Sequence, residues 1–181
     1  MKKILPYTGV IAALLAIVPF ILIMTTPITI YQTTVFGATV TYEFQGIIAL
    51  FGGVQKGILG TDVEFVLSPD ALVSWILLMV GIVLLLAAFI LPLAKIQAVQ
   101  RFAGLMNLAA ALVLVVAGVM LFLAKNDFLN VNELGTDGYQ ATAGWIISGI
   151  LALAAGVCAT VPSIADFVEK LPKQKKKKSK K

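Results

Sequence analysis

The stretch Ala71–Ala94, ALVSWILLMVGIVLLLAAFILPLA, decides the fold. It runs 24 residues without an Asp, Glu, Lys or Arg. A helix apolar on every side belongs in the core of a large protein or in a membrane. A chain of 181 residues is too short to enclose it, so its surroundings must be lipid. About 20 apolar residues in helical form cross a bilayer core of ~30 Å. Working outward, Leu5–Met24, Phe102–Ala124 and Ala141–Ser163 are also free of charge and at least 20 residues long. Hydrophobic residues reach 60% and mean hydropathy is +0.99, against about 45–50% apolar in soluble domains.

The expected fold is an all-α membrane protein: a four-helix transmembrane bundle with a small extracytoplasmic antiparallel β-sheet in its first outer loop. The four-span domain covers 1–163, with spans at about 5–24, 71–94, 102–124 and 141–163. Its outer β-loop is 25–70 and its second outer loop 125–140. Residues 164–181 form a cytoplasmic juxtamembrane helix and a polybasic tail. Met1-Lys2-Lys3 before an apolar run also fits a signal peptide. However, the run exceeds a 7–15-residue apolar region and no small-x-small site precedes Pro27, so the first span is expected to stay.

Charge sets the orientation, because cytoplasmic loops carry excess Lys and Arg. One side holds 12 basic and 2 acidic residues: Lys2, Lys3, Lys95, Arg101, Lys170 and the C-terminal lysines, against Asp166 and Glu169. The other holds Lys56 and Lys125 against seven acids, Glu43, Asp62, Glu64, Asp70, Asp127, Glu133 and Asp137. Both termini are therefore expected in the cytoplasm. Trp75, Tyr139 and Trp145 fall near the outer boundary, where amphipathic aromatics are favoured.

Composition also narrows the chemistry. There is no histidine, which removes His-based acid–base catalysis and His-ligated metals. The one cysteine, Cys158, allows no intramolecular disulfide and reads as a small packing residue. Apart from Tyr7 and Cys158, no span carries an ionisable group, which argues against ion-coupled transport. Asn107 reads as an interhelical hydrogen-bonding residue, worth ~0.6 kcal/mol on average. Pro6, Pro19 and Pro92 are expected to kink or end helices.

Gly144, Ser148, Ala152 and Gly156 recur every four residues in the fourth span. They form a small-residue face that lets helices approach closely, with Gly9 and Ala13 as counterparts in the first span. The face serves either a first-to-fourth helix contact or a dimer.

In the first outer loop, Ile28–Phe36 is rich in strand formers. Gly37–Ala38 reads as a tight turn, and Thr39–Gln45 and Asp62–Leu67 alternate as strands. Together these predict a three- or four-stranded antiparallel sheet. Ser68-Pro69-Asp70 reads as a helix start. Gly46–Gly60 is apolar yet outside the spans. Its Ile47, Ile48, Leu50, Phe51, Ile58 and Leu59 cover the apolar sheet face, sit in the lipid interface, or form an exposed partner-binding tip. The second outer loop, Lys125–Gln140, reads as a solvated turn rather than a Ca²⁺ loop.

Ser163-x-x-Asp166 resembles a capping box that starts a short helix running to Leu171. Beyond Pro172, Lys173, Lys175, Lys176, Lys177, Lys178, Lys180 and Lys181 repel one another and form no core. They are expected to meet anionic lipid of the inner leaflet at ~1 kcal/mol per Lys near the surface. No aromatic interleaves them, so nucleic acid is not an expected partner.

Four spans, both termini inside, a long strand-forming first outer loop and a short second one: this layout resembles the claudin and PMP22-like tetraspan proteins. That family's first outer loop carries Trp, Gly-Leu-Trp and two disulfide-forming cysteines. Here Gly46-Ile47-Ile48 is the counterpart, without Trp or Cys. The resemblance implies a sheet above a left-handed bundle and a cell-contact or barrier role. No family residue carries over.

The expected function is non-enzymatic: a cell-membrane scaffold, adhesion or accessory subunit that uses no cofactor. It would act on a protein partner or as a homo-oligomer, through its outer loop and lateral helix packing. The alternative is a transport or channel component, or a lipid or small-molecule carrier. That alternative requires Thr8, Asn107, Thr142 and Ser148 to converge on one cavity.

Overall fold

The computed structural model describes residues 5–57, 60–91 and 97–170. In chain order the elements are α1 (Leu5–Thr25), β1 (Pro27–Val35), β2 (Ala38–Gln45), α2 (Gly46–Phe51), β3 (Gly53–Lys56), β4 (Asp62–Phe65), α3 (Pro69–Ile90), α4 (Gln97–Val131), β5 (Tyr139–Ala141) and α5 (Ala143–Lys170). The helices α1, α3, α4 and α5 are each long and apolar enough to cross a membrane. They form a ring in which α1 and α4 each lie between α3 and α5.

The bundle interior is rich in small residues, packed around a few large ones, Ile23, Leu78, Leu85, Leu114 and Leu121. Ala12, Ala13 and Ala16 of α1, Ala110, Ala111 and Ala117 of α4, and Ala152, Ala155 and Ala159 of α5 are all buried. Many bulky side chains point outward, among them Leu14 and Ile21, Val83 and Leu86, Leu105 and Leu112, and Ile150 and Val157. A water-soluble bundle arranges its residues the other way round. In lipid, an outward Leu loses nothing, and association relies on close packing of small residues.

The small-residue face of α5 is used inside this bundle. Ser148 and Ala152 are fully buried. A Cβ at Gly144 would overlap the Thr26 side chain at the end of α1. One at Gly156 would stand 2.8 Å from Val115 Cγ2 and 3.1 Å from the Ala111 carbonyl oxygen of α4. The face therefore meets α1 and α4 of the same chain.

Several helix limits differ from expectation. α4 continues to Val131, so Lys125–Val131 belongs to a helix and not to a loop. α5 runs through Pro162 to Lys170. Ser163 is therefore no N-cap: its hydroxyl donates to the Gly104 carbonyl at 3.0 Å, tying α5 to α4. Pro19 likewise sits within an uninterrupted α1. Ser68 does cap α3, accepting from Ala71 N–H at 3.2 Å with Pro69 following it.

The sheet also differs. β1 and β2 form the expected hairpin, but the turn is Phe36–Gly37, with Val35 opposite Ala38. The third strand is β5, antiparallel to β1 with Tyr31 opposite Tyr139. Asp62–Phe65 pairs instead with Gly53–Lys56 as a separate hairpin. Three residues, Tyr139–Ala141, are too short for an alternation signal, and β5 forms because β1 offers its edge.

Gly156→Leu should force α4 and α5 apart and lower stability by about 2 kcal/mol or more, as overpacking does. Val157→Leu, on the exposed neighbouring position, should stay within about 0.5 kcal/mol. Thermal unfolding of both variants in the same detergent measures the difference.

Candidate functional site

The connections α1–α3 and α4–α5 lie at one end of the bundle and build a cap there. Its seven acids and two lysines give that end a net negative charge.

Phe44, 5% exposed, is the hub of the cap. Strand alternation turns Tyr42 and Phe44 to one face of β2. Phe44 lies 4.8 Å from Tyr42, 5.5 Å from Phe65 of β4, 5.8 Å from Phe128 of α4 and 5.7 Å from Tyr139 of β5, centroid to centroid. Tilted and edge-to-face pairs of this kind add ~0.5–1.5 kcal/mol each beyond area burial. One side chain thus joins both sheets to the extended end of α4.

Polar groups complete the docking. Asp127 Oδ2 accepts from the Ser68 hydroxyl at 2.5 Å and from Asp70 N–H at 3.1 Å, so α4 caps α3. Asn132 acts as a substitute strand: its Oδ1 accepts from Val66 N–H at 2.7 Å and its Nδ2 donates to Val66 O at 3.0 Å. Gln55 does the same for β2, accepting from Gln45 N–H at 3.2 Å and donating to Glu43 O at 2.5 Å. Lys125 Nζ donates to Tyr139 O at 3.1 Å. The second loop's polar residues are thus partly structural. Among the described residues, no group of three or more His, Cys, Asp or Glu is arranged to hold a metal ion.

The cap sits close to the bundle. Gly46 N–H donates to Thr26 O at 3.1 Å, and a Cβ there would overlap the Ile23 carbonyl oxygen, so only glycine fits. Thr142 donates its hydroxyl to Pro27 O, and Trp145 Nε1 donates to Thr26 O at 3.4 Å.

Of the predicted partner-binding residues, Ile48 and Leu50 are buried in the core. α2 turns them inward, against the bundle. Ile47 and Phe51 remain exposed, at 44% and 49%, and Phe51 packs edge-on against Trp75 at 5.5 Å. Ile58, Leu59 and the lysines 173–181 lie outside the described residues. Other exposed apolar side chains of the cap include Val35, Val40, Val54, Val63 and Val66; Val66 lies just past β4 and carries no strand signal.

The four residues of the transport alternative do not converge. Thr142 bonds at the cap, and the Ser148 hydroxyl donates to Gly144 O at 2.7 Å within α5. Asn107 lies toward the opposite end, its Oδ1 buried without a hydrogen-bond partner and facing Gly9, next to Thr8 on α1. Cys158 is a free, half-buried thiol on α5.

Phe36 is the outlier of the cap. It is fully exposed and has φ +51°, followed by Gly37 at +81°. Two positive φ values define a type I′ hairpin turn, which favours Asn-Gly. A bulky residue in that conformation is strained.

No protein-family model matches the chain, and no curated protein matches it.

Phe44→Ala should remove about 3–5 kcal/mol from the cap, read as lost amide protection in both hairpins while the helices persist. Phe36→Asn should relieve the turn and stabilise the hairpin by about 1 kcal/mol, in the range assigned to such backbone strain. Slower amide exchange across β1 and β2 would measure it. Burial raises the phenol pKa of Tyr42 and of Tyr139, the latter also through Tyr31. The folded state thus favours neutral phenols. Their contribution is present below pH ~10 and lost as pH rises through the raised values. Ultraviolet titration should show both ionising late, with Tyr139→Phe removing one of them.

Proposed function

We propose that this chain is a non-enzymatic integral membrane protein, a scaffold, adhesion or accessory subunit, that recognises a protein partner through its cap. The observation that carries this reading is a cap tied to the helix ends by Phe44, Asp127 and Asn132, with Ile47, Phe51, Val54 and Val66 left exposed on it. Exposed apolar side chains on an ordered scaffold are what protein interfaces use.

In this reading the outward-facing Leu, Ile and Val side chains meet lipid, and the cap lies outside the cell membrane with both termini inside. The 12 basic residues against 2 acids at the other end support that orientation, and the lysines 173–181 meet anionic lipid there. The claudin and PMP22-like layout belongs to the same reading. The small-residue face of α5 is occupied within the bundle, so lateral association uses other surfaces.

Orientation is tested in a Cys158→Ala background. Asp62→Cys should react with a membrane-impermeant maleimide in intact cells, and Ser179→Cys only after permeabilisation. The reverse pattern would invert the topology. Recognition is tested with a photo-crosslinker at position 47 in the native membrane. A stoichiometric partner, lost with Ile47→Glu in a folded chain, is the expected result; recovery of the chain alone would overturn the accessory reading.

A further inference from the structure

The cap carries an unfinished sheet. Among the described residues, in the order β2-β1-β5, no strand pairs with the outer side of β2. Gln55 bonds outward-facing groups of Glu43 and Gln45, at the end of β2 nearest the bundle. Those bonds fix the parity of the strand, because both backbone groups of a residue face the same side and sides alternate along the chain. Thr41, opposite Gln32, and Thr39, opposite Thr34, share the parity of Glu43. Their N–H and C=O groups therefore point away from β1. On the far side, Gln32 N–H already bonds Gly138 O at 3.2 Å, consistent with the same alternation.

The hairpin also outruns its support. β5 pairs only with Thr29–Tyr31, so Thr33–Val35 and Ala38–Val40 form a two-stranded arm. Such ribbons are marginal alone. Long open edges are usually blunted by lysine, proline or bulges. Residues 38–43, Ala-Thr-Val-Thr-Tyr-Glu, contain neither Lys nor Pro, and the bulge in the β1–β2 register lies at Pro27–Thr29, away from the arm.

We propose that the outer edge of β2 accepts an extended, basic segment of a partner protein as a fourth strand. This rests on the reading of the cap as a recognition site and names its ligand chemistry. The edge supplies main-chain hydrogen bonds at Thr39 and Thr41, the mode by which sheet edges bind peptides. Exposed Glu43 lies on that edge, where a cross-strand Lys or Arg pairs with it. Seven acids against two lysines across the cap favour a basic segment and disfavour a second, equally acidic copy of this cap.

The probe is a fluorescent, end-blocked heptapeptide, Thr-Lys-Val-Thr-Val-Lys-Thr, added to the full chain in detergent micelles, with Glu replacing Lys in its control. The basic peptide should bind and slow exchange of the Thr39 and Thr41 amides; the acidic one should bind more weakly. Thr41→Pro removes only an outward N–H and should lower affinity about tenfold with the β1–β2 ladder intact. Failure of the basic peptide to bind, absence of protection at Thr39 and Thr41 in the unaltered chain, or undiminished binding by a folded Thr41→Pro variant each overturns the proposal. Because the exchange readout uses the unaltered chain, a misfolded variant does not blunt the test. A partner crosslinked at position 47 and retained by Thr41→Pro would sink this edge alone and leave cap recognition standing. Recovery of the chain alone would remove both.

Discussion

Where α5 crosses α1 and α4, there is no room at Gly144 or Gly156 even for a Cβ. Gly144 meets the Thr26 side chain and Gly156 meets the backbone of α4. Every other feature depends on this close approach. In a bilayer the large side chains gain nothing by turning inward, and dispersion contacts between closely spaced helices become the main cohesive term. The outward Leu, Ile and Val side chains and the inward alanines are two results of one rule.

The same proximity places the cap. Because α1 and α5 run so near each other, the Thr26 and Pro27 carbonyls come within reach of Gly46, Thr142 and Trp145. The two extra turns of α4 then carry Phe128 under Phe44, and Asp127 to the start of α3. The cap is therefore an outgrowth of the helix ends and not a separate domain. Its weak seams, between the two hairpins and between β4 and α4, are closed by the amides of Gln55 and Asn132 in place of backbone ladders.

The helices were legible because uninterrupted apolar length is a one-dimensional signal. Their ends were less so. Lys125 and Asp127 look like loop residues by charge, yet α4 continues past them because Asp127 finds donors on α3 and Lys125 a carbonyl on β5. The Thr39–Gln45 alternation located β2, and Ser68 announced α3. Strand pairing was not legible. Asp62–Phe65 carries the same alternating pattern as β2, and nothing local says that its neighbour is Gly53–Lys56. The partner-binding residues divided for a related reason. Apolar content marked Ile47–Phe51, but only the helical turn of α2 separates inward Ile48 and Leu50 from outward Ile47 and Phe51.

β1 lies near the start of the chain and β5 near its end, with Thr29 bonding Gln140 across 111 residues. At about 5–20 residues per second of synthesis, the first strands wait roughly 5–20 s for the third. During that time three helices must already be placed, while the β1–β2 ribbon stands with both edges open. Completion of the sheet thus reports that the chain has passed α4 and reached the start of α5. A chain stalled before β5 would display an unpaired β1, a ready mark by which a chaperone or protease could recognise a molecule whose sheet is incomplete.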